Sequence, residues 1–105
     1  MKESDVEKYL NDQVKKIGGI TRKWVSPGHA GVPDRIVIFP GGFIFFCEVK
    51  TDKGKLSVRQ ERELDELSRM GCTCTIIFGY KGVDMLIKTL IETVSTANPP
   101  LKNLH

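Results

Sequence analysis

Asp34, Glu48 and Lys50 interrupt the most apolar stretch of the chain, GVPDRIVIFPGGFIFFCEVK over residues 31–50. Acids that face each other across paired strands repel. They coexist if one is protonated, if the lysine lies between them, or if a divalent cation binds both. Mg2+ is a hard ion that takes one or two carboxylates together with waters and substrate phosphates. Two acids beside a lysine therefore suit metal-assisted phosphodiester hydrolysis, in which the lysine orients or deprotonates a water or neutralises developing charge. The plainer reading is a solvated Glu–Lys pair at a strand end, which contributes little. Spacing alone favours that plainer reading.

Whether the three groups meet depends on a turn. A three-residue turn over 40–42 sets Asp34 opposite Glu48, Ile36 opposite Phe46 and Ile38 opposite Ile44. Asp34, Glu48 and Lys50 then share one face at the open end of the hairpin. A two-residue turn shifts the register by one and parts the acids onto opposite faces.

The elements that must hold this hairpin follow from periodicity. Val6, Leu10, Val14 and Ile17 recur at helical spacing between Ser4 and Ile17, and Gly18-Gly19 ends that helix. Ile20 to Val25 reads as a short strand leading into the loop SPGHAGVP. Asp34 to Phe39 and Phe43 to Lys50 are strands rich in Ile, Val and Phe, joined by the turn residues PGG. After the polar loop TDKGKLS, Ser57 opens a second helix with Gln60 as capping-box partner. Leu64 and Leu67 supply that helix's buried side, and Gly71 stops it. Cys72 to Phe78 is a further strand. A third helix runs from about Gly82 to Val94, with Val83, Leu86, Ile87, Leu90 and Val94 on one side. The order α-β-β-β-α-β-α makes an α/β fold, a mixed central sheet flanked by helices. Residues 1–95 are expected to form one domain, and 96–105 a flexible tail.

A chain of 105 residues has room for a single core. Its longest apolar run, Phe43 to Cys47, is far too short to cross a bilayer, and MKESDVEKYL lacks the apolar core of a signal peptide. A cytoplasmic protein without membrane contact is expected. Cys47, Cys72 and Cys74 suit a reducing compartment and read as packing residues. His29 and His105 show no metal spacing to them, which argues against zinc. With 16 basic and 13 acidic residues the net charge of +3 is a mild signal. If acids gather in a metal site, the remaining surface is more basic and suits a polyanion.

GVPDRIVIFPGG followed by FCEVK resembles the PD-(D/E)XK nuclease superfamily, with Pro33-Asp34, a hairpin, and Glu48-Val49-Lys50 as the E-X-K element. More narrowly, GG…SPGHAGVPDRIVIFPGG…EVK…GKLSVRQERELDELSRMG is similar to a stand-alone VRR-NUC domain of phages and prophages, across roughly residues 3–80. The PD…EVK pair alone is a weak motif; joined to Gly-Lys-Leu-Ser…Gln and the acidic first helix it is specific. The resemblance implies a restriction-endonuclease-like core with Mg2+ or Mn2+ and no small-molecule cofactor. It makes Asp34 and Glu48 metal ligands, the Val49 carbonyl a third, and Lys50 the group that positions the attacking water. Gln60 is implied to touch Lys50 or the DNA backbone, beside its capping role. The resemblance also places an acid of the first helix at the site. Glu3, on the centre line of the apolar stripe, and Glu7, at its edge, both qualify, although Ser4-x-x-Glu7 could equally be a capping box.

Arg35, Lys53, Lys55, Arg59, Arg62 and Lys23 are candidates to track DNA phosphates, each alone being an ordinary surface charge. His29 lies outside the motif and is not assigned as a base. Stand-alone members of the family resemble Holliday junction resolvases, so the implied partners are branched DNA and a second copy of the chain. The competing readings are a non-catalytic DNA-binding or assembly subunit on the same fold, and a nuclease acting on flaps or ends. A sequence-specific restriction-type nuclease would need a target-recognition domain for which the chain lacks room.

Overall fold

The structure, a computed structural model, describes residues 1–96, of which 94–96 are described by backbone alone. The expected tail therefore lies outside the described residues, except that Thr96 ends a helix.

Helix α1 spans Glu3–Lys16, and its residues Val6, Leu10 and Val14, spaced by four, are fully buried. The Asp5 carboxylate accepts the Lys2 backbone N–H at 2.8 Å and closes the first turn. Ser4 lies inside this helix, so the Ser4–Glu7 capping box does not form. Strands β1 (Ile20–Lys23), β2 (Arg35–Phe39) and β3 (Phe43–Lys50) are followed by α2 (Val58–Arg69), β4 (Cys74–Phe78) and α3 (Gly79–Thr96). The sheet has the order β1-β2-β3-β4. Its first three strands are antiparallel, and β4 runs parallel to β3 after the α2 crossover. This is the expected α/β architecture with a mixed sheet.

Several boundaries differ from expectation. β1 stops at Lys23, although Trp24 N–H still donates to the Asp34 carbonyl at 3.0 Å. β4 begins at Cys74 rather than Cys72. α3 begins at Gly79 rather than Gly82, because Gly79 adopts φ +66° and turns the chain from strand into helix without a loop. A Cβ at that position would overlap the Asp52 carboxylate.

One face of the sheet makes the core. Val37, Phe39, Phe45, Cys47, Val49 and Ile77 pack against Val6, Leu10 and Val14 of α1 and against Val83, Ile87 and Leu90 of α3. Burying each such side chain contributes about 1.5–3 kcal/mol. This packing sets the hairpin register, since a slip of one residue would move Val37 and Phe45 into solvent. The pairs are Ile36 with Phe46, Ile38 with Ile44 and Phe39 with Phe43, which leaves a three-residue turn at 40–42. Gly41 and Gly42 there take φ +90° and +84°, the region open to glycine. Of the two registers, this is the one that keeps Asp34 and Glu48 together.

Cys47 sits in the core, and its thiol is pushed up to about 12 by burial, with smaller contributions from Asp34, Glu48 and Glu7. All three cysteines are free. Among the described residues no helix is long and apolar enough to cross a membrane.

Candidate active site

The open end of the hairpin gathers the polar residues that interrupt it. Asp34 stands just before β2, and its Oδ2 accepts the Val49 N–H at 2.8 Å. Glu48, two residues from the end of β3, is 1 % exposed, and Lys50, which ends the strand on the same face, is 7 % exposed. Gln60 Nε2 donates to Glu48 Oε2 at 3.0 Å, and Lys50 Nζ lies 3.5 Å from the same oxygen. Glu48 Oε1 is buried with no hydrogen-bond partner.

That arrangement perturbs Glu48 strongly. Burial, and next the charge of Asp34, push its carboxyl up to about 7 from 4.5, against the opposing pull of Lys50. Protonated, Glu48 can donate to Asp34. Ionised, its Oε1 has no donor and needs a cation.

Gln60 reaches this carboxylate because α2 starts where it does. Ser57 Oγ accepts the Gln60 backbone N–H at 3.1 Å, and Gln60 Oε1 accepts the Ser57 N–H at 2.9 Å. The capping box leaves Nε2 free to hold Glu48, so the side chain serves both purposes at once. Of the two expected contacts, with Lys50 or with the DNA backbone, the one with Lys50 gives way to Glu48.

The two candidate acids of α1 separate. Glu3 Oε2 lies 3.9 Å from Lys50 Nζ. Glu7, one turn along, takes Arg35 Nε at 2.9 Å and Lys23 Nζ at 3.4 Å. Glu3 therefore faces the lysine, and Glu7 offsets two of the cations assigned to phosphate contact.

The remaining basic residues lie around the rim. Lys53 and Lys55 are exposed on the loop between β3 and α2. Arg59 and Arg62 line a cavity of about 360 Å3 with Gly28, His29, Glu63 and Glu66. Within it Glu63, nearly buried, bonds His29 Nε2 at 2.6 Å, and that hydrogen bond raises the histidine above its ordinary value. This pair pins loop 26–33, which leads into Asp34, against α2. Sequence reasoning missed it. The available signal was that Gln60, Glu63, Leu64 and Leu67 fall on one stripe of α2, which puts an acid on the inward side.

Among the described residues no group of three or more His, Cys, Asp or Glu side chains could hold a metal ion. The side-chain donors at the site are the two carboxylates of Asp34 and Glu48. Such a set suits a hard ion that keeps several waters, and does not suit a structural zinc.

No family model matches the chain. A protein of the Acyrthosiphon pisum secondary endosymbiont phage 1, named "Putative nuclease p44", is 46% identical over 71 residues, or 68% of this chain and 76% of that protein. A solved structure named "VRR_NUC domain" superposes with a TM-score of 0.77 at 33% identity, over 84% of this chain and 96% of its own. Another, "VRR_NUC domain protein", shares the fold with a TM-score of 0.67 at 16% identity, covering 88% and 89% of the two chains.

Proposed function

The chain belongs to the VRR-NUC domain family, and from that footing we propose that it is a divalent-metal-dependent endonuclease that hydrolyses DNA phosphodiester bonds at Asp34, Glu48 and Lys50. The observation that carries this reading is Glu48 Oε1, a buried oxygen without a donor, opposed to a second carboxylate and flanked by a lysine. A buried oxygen of this kind is unfavourable unless something positive joins it.

The residues present fit Mg2+ or Mn2+. Asp34 Oδ1 and Glu48 Oε1 would hold it, because the second oxygen of each acid is already bonded, to Val49 N–H and to Gln60. The N–H and C=O of one strand residue point to the same edge. The Val49 carbonyl is thus directed to the side of Asp34 and supplies a third oxygen. When bound, such an ion contributes Lewis acidity toward the phosphate and the attacking water.

The protein's own groups do the positioning. Gln60 fixes the Glu48 carboxylate, and Glu3 and Glu48 together hold the Lys50 ammonium. From there Lys50 Nζ orients the attacking water and offsets negative charge that develops on the phosphoryl oxygens. Arg35, Lys23, Lys53, Lys55, Arg59 and Arg62 surround this centre and serve as contacts to DNA phosphates.

The preferred substrate is branched DNA, and the working unit is a homodimer. A symmetric pair of chains presents two sites, one for each of the paired nicks in a junction. The experiment is cleavage of labelled four-way junction, flap and linear duplex with Mg2+, Mn2+ or EDTA. Cleavage of the junction with paired nicks, abolished by EDTA, is expected. Equal cutting of plain duplex would remove the junction preference, and cutting in EDTA would remove metal dependence.

A further inference from the structure

A second cavity, of about 340 Å3, opens at the free edge of the sheet between α1 and β1 and is lined by Asn11, Lys15, Gly19, Thr21, Arg22 and Arg35 among others. Three of its lining residues are cations, and none is a carboxylate. The two cavities compared with it differ in this respect. The one between loop 26–33 and α2 sets Glu63 and Glu66 against its arginines, and the one beside Tyr9 and Tyr80 sets Asp5 and Asp12 against Lys8.

The donors at this edge are also left unspent. Among the described residues neither Lys15 nor Arg22 has a carboxylate partner, although Lys8 on the same helix is paired with Asp12 at 3.1 Å. Arg22 Nη1 donates to the Thr21 carbonyl at 2.8 Å, which bends the guanidinium back along its own strand. Arg35 bonds Glu7 through Nε, which leaves its terminal nitrogens. Asn11 Oδ1 accepts the Thr21 hydroxyl, so the Asn11 amide nitrogen remains as a donor. The lining thus offers N–H groups and positive charge, the complement of a phosphodiester.

Its position relates it to the site. Arg22 and Thr21 pair with Ile36 and Val37, two and three residues past Asp34. At 3.3–3.4 Å per residue the cavity is offset roughly 7–10 Å from that acid in the strand direction, one strand further out and toward α1.

We propose that the α1–β1 cavity is a second phosphate-binding subsite, which takes a backbone phosphodiester of the substrate away from the cleaved bond through Lys15, Arg22, Arg35 and Asn11. The subsite rests on the nuclease reading above. The test compares wild type with Lys15→Ala/Arg22→Ala and with a charge-matched control on α3, Lys81→Ala/Lys88→Ala. Binding to a labelled junction is measured by fluorescence anisotropy in EDTA from 50 to 300 mM salt, and cleavage is then followed with Mg2+. The first variant is expected to bind roughly tenfold more weakly at 0.1 M salt, with the slope of log K against log salt reduced by about one to two. Its cleavage defect appears in KM rather than in the single-turnover rate. An unchanged slope and KM, or an equal loss in the control, overturns the subsite while the nuclease reading stands. Wild type that neither binds nor cuts DNA overturns both.

Discussion

A carboxyl group with one oxygen bonded to Gln60 and the other sealed from water without a donor is difficult to ionise, and the position of Glu48 near 7 expresses that. The consequence for stability follows from its sign. The folded metal-free protein holds this proton more tightly than the unfolded chain, whose value is near 4.5. The contribution is therefore complete below about 4.5 and is lost as pH rises through about 7. Glu48→Gln removes the titration. In EDTA the variant is expected to match wild type in unfolding free energy near pH 5 and to exceed it at pH 8 by about 1–2 kcal/mol. Equal differences at both pH values would contradict this. Mg2+ is expected to raise the Tm of wild type and not that of the variant. Asp34→Asn should lower single-turnover cleavage by roughly 100-fold or more and leave DNA binding in EDTA intact, since it removes a ligand oxygen and adds no repulsion. At this scale Asp34, Glu48 and Lys50 were legible because three polar residues stood out against an apolar run. Which acid of the first helix faces the lysine was not legible. Helical periodicity gives a side chain its face, and only tertiary packing decides how far along the helix the site falls. That is how Glu3 came to Lys50 and Glu7 to Arg35.

Among the elements, the hairpin and α2 share the task of holding the carboxylates. The PGG turn and the core packing together set the register, and the capping box at Ser57 sets where α2 begins and so where Gln60 points. Gln60→Ala is expected to raise the half-saturating metal concentration by roughly 10–100-fold, as for other partners of a ligating side chain. Ser57→Ala should cost about 1 kcal/mol of stability in urea unfolding. An unchanged metal requirement in Gln60→Ala would mean that Glu48 is held by Lys50 alone. The strands and helices were legible in type and order from periodicity, while several boundaries were not. α3 starts early because Gly79 takes a left-handed conformation against Asp52, and nothing in the local sequence separates that glycine from one in a loop. The bond between His29 and Glu63 joins residues 34 apart and depends on where α2 docks.

For the molecule as a whole, the sheet divides the labour between its faces. One face is buried under α1 and α3 and gives rigidity. The other carries the site at one end, and beyond it Ile44 stays 49 % exposed, with Ile36, Ile38 and Phe46 half-buried beside it. In a symmetric dimer this apolar area is the surface a second copy would cover. Ile44→Asp is then expected to shift sedimentation from dimer to monomer without loss of secondary structure. A dimer of unaltered stability would place the contact elsewhere. Single-turnover cleavage of a labelled four-way junction by wild type and Lys50→Ala, each shown to bind the junction equally in EDTA, tests whether Asp34, Glu48 and Lys50 form the reacting centre. Wild type is expected to cut with Mg2+ and to stop in EDTA, and Lys50→Ala to bind without cutting. Cleavage by Lys50→Ala at the wild-type rate, or cleavage by either protein in EDTA, would contradict that assignment.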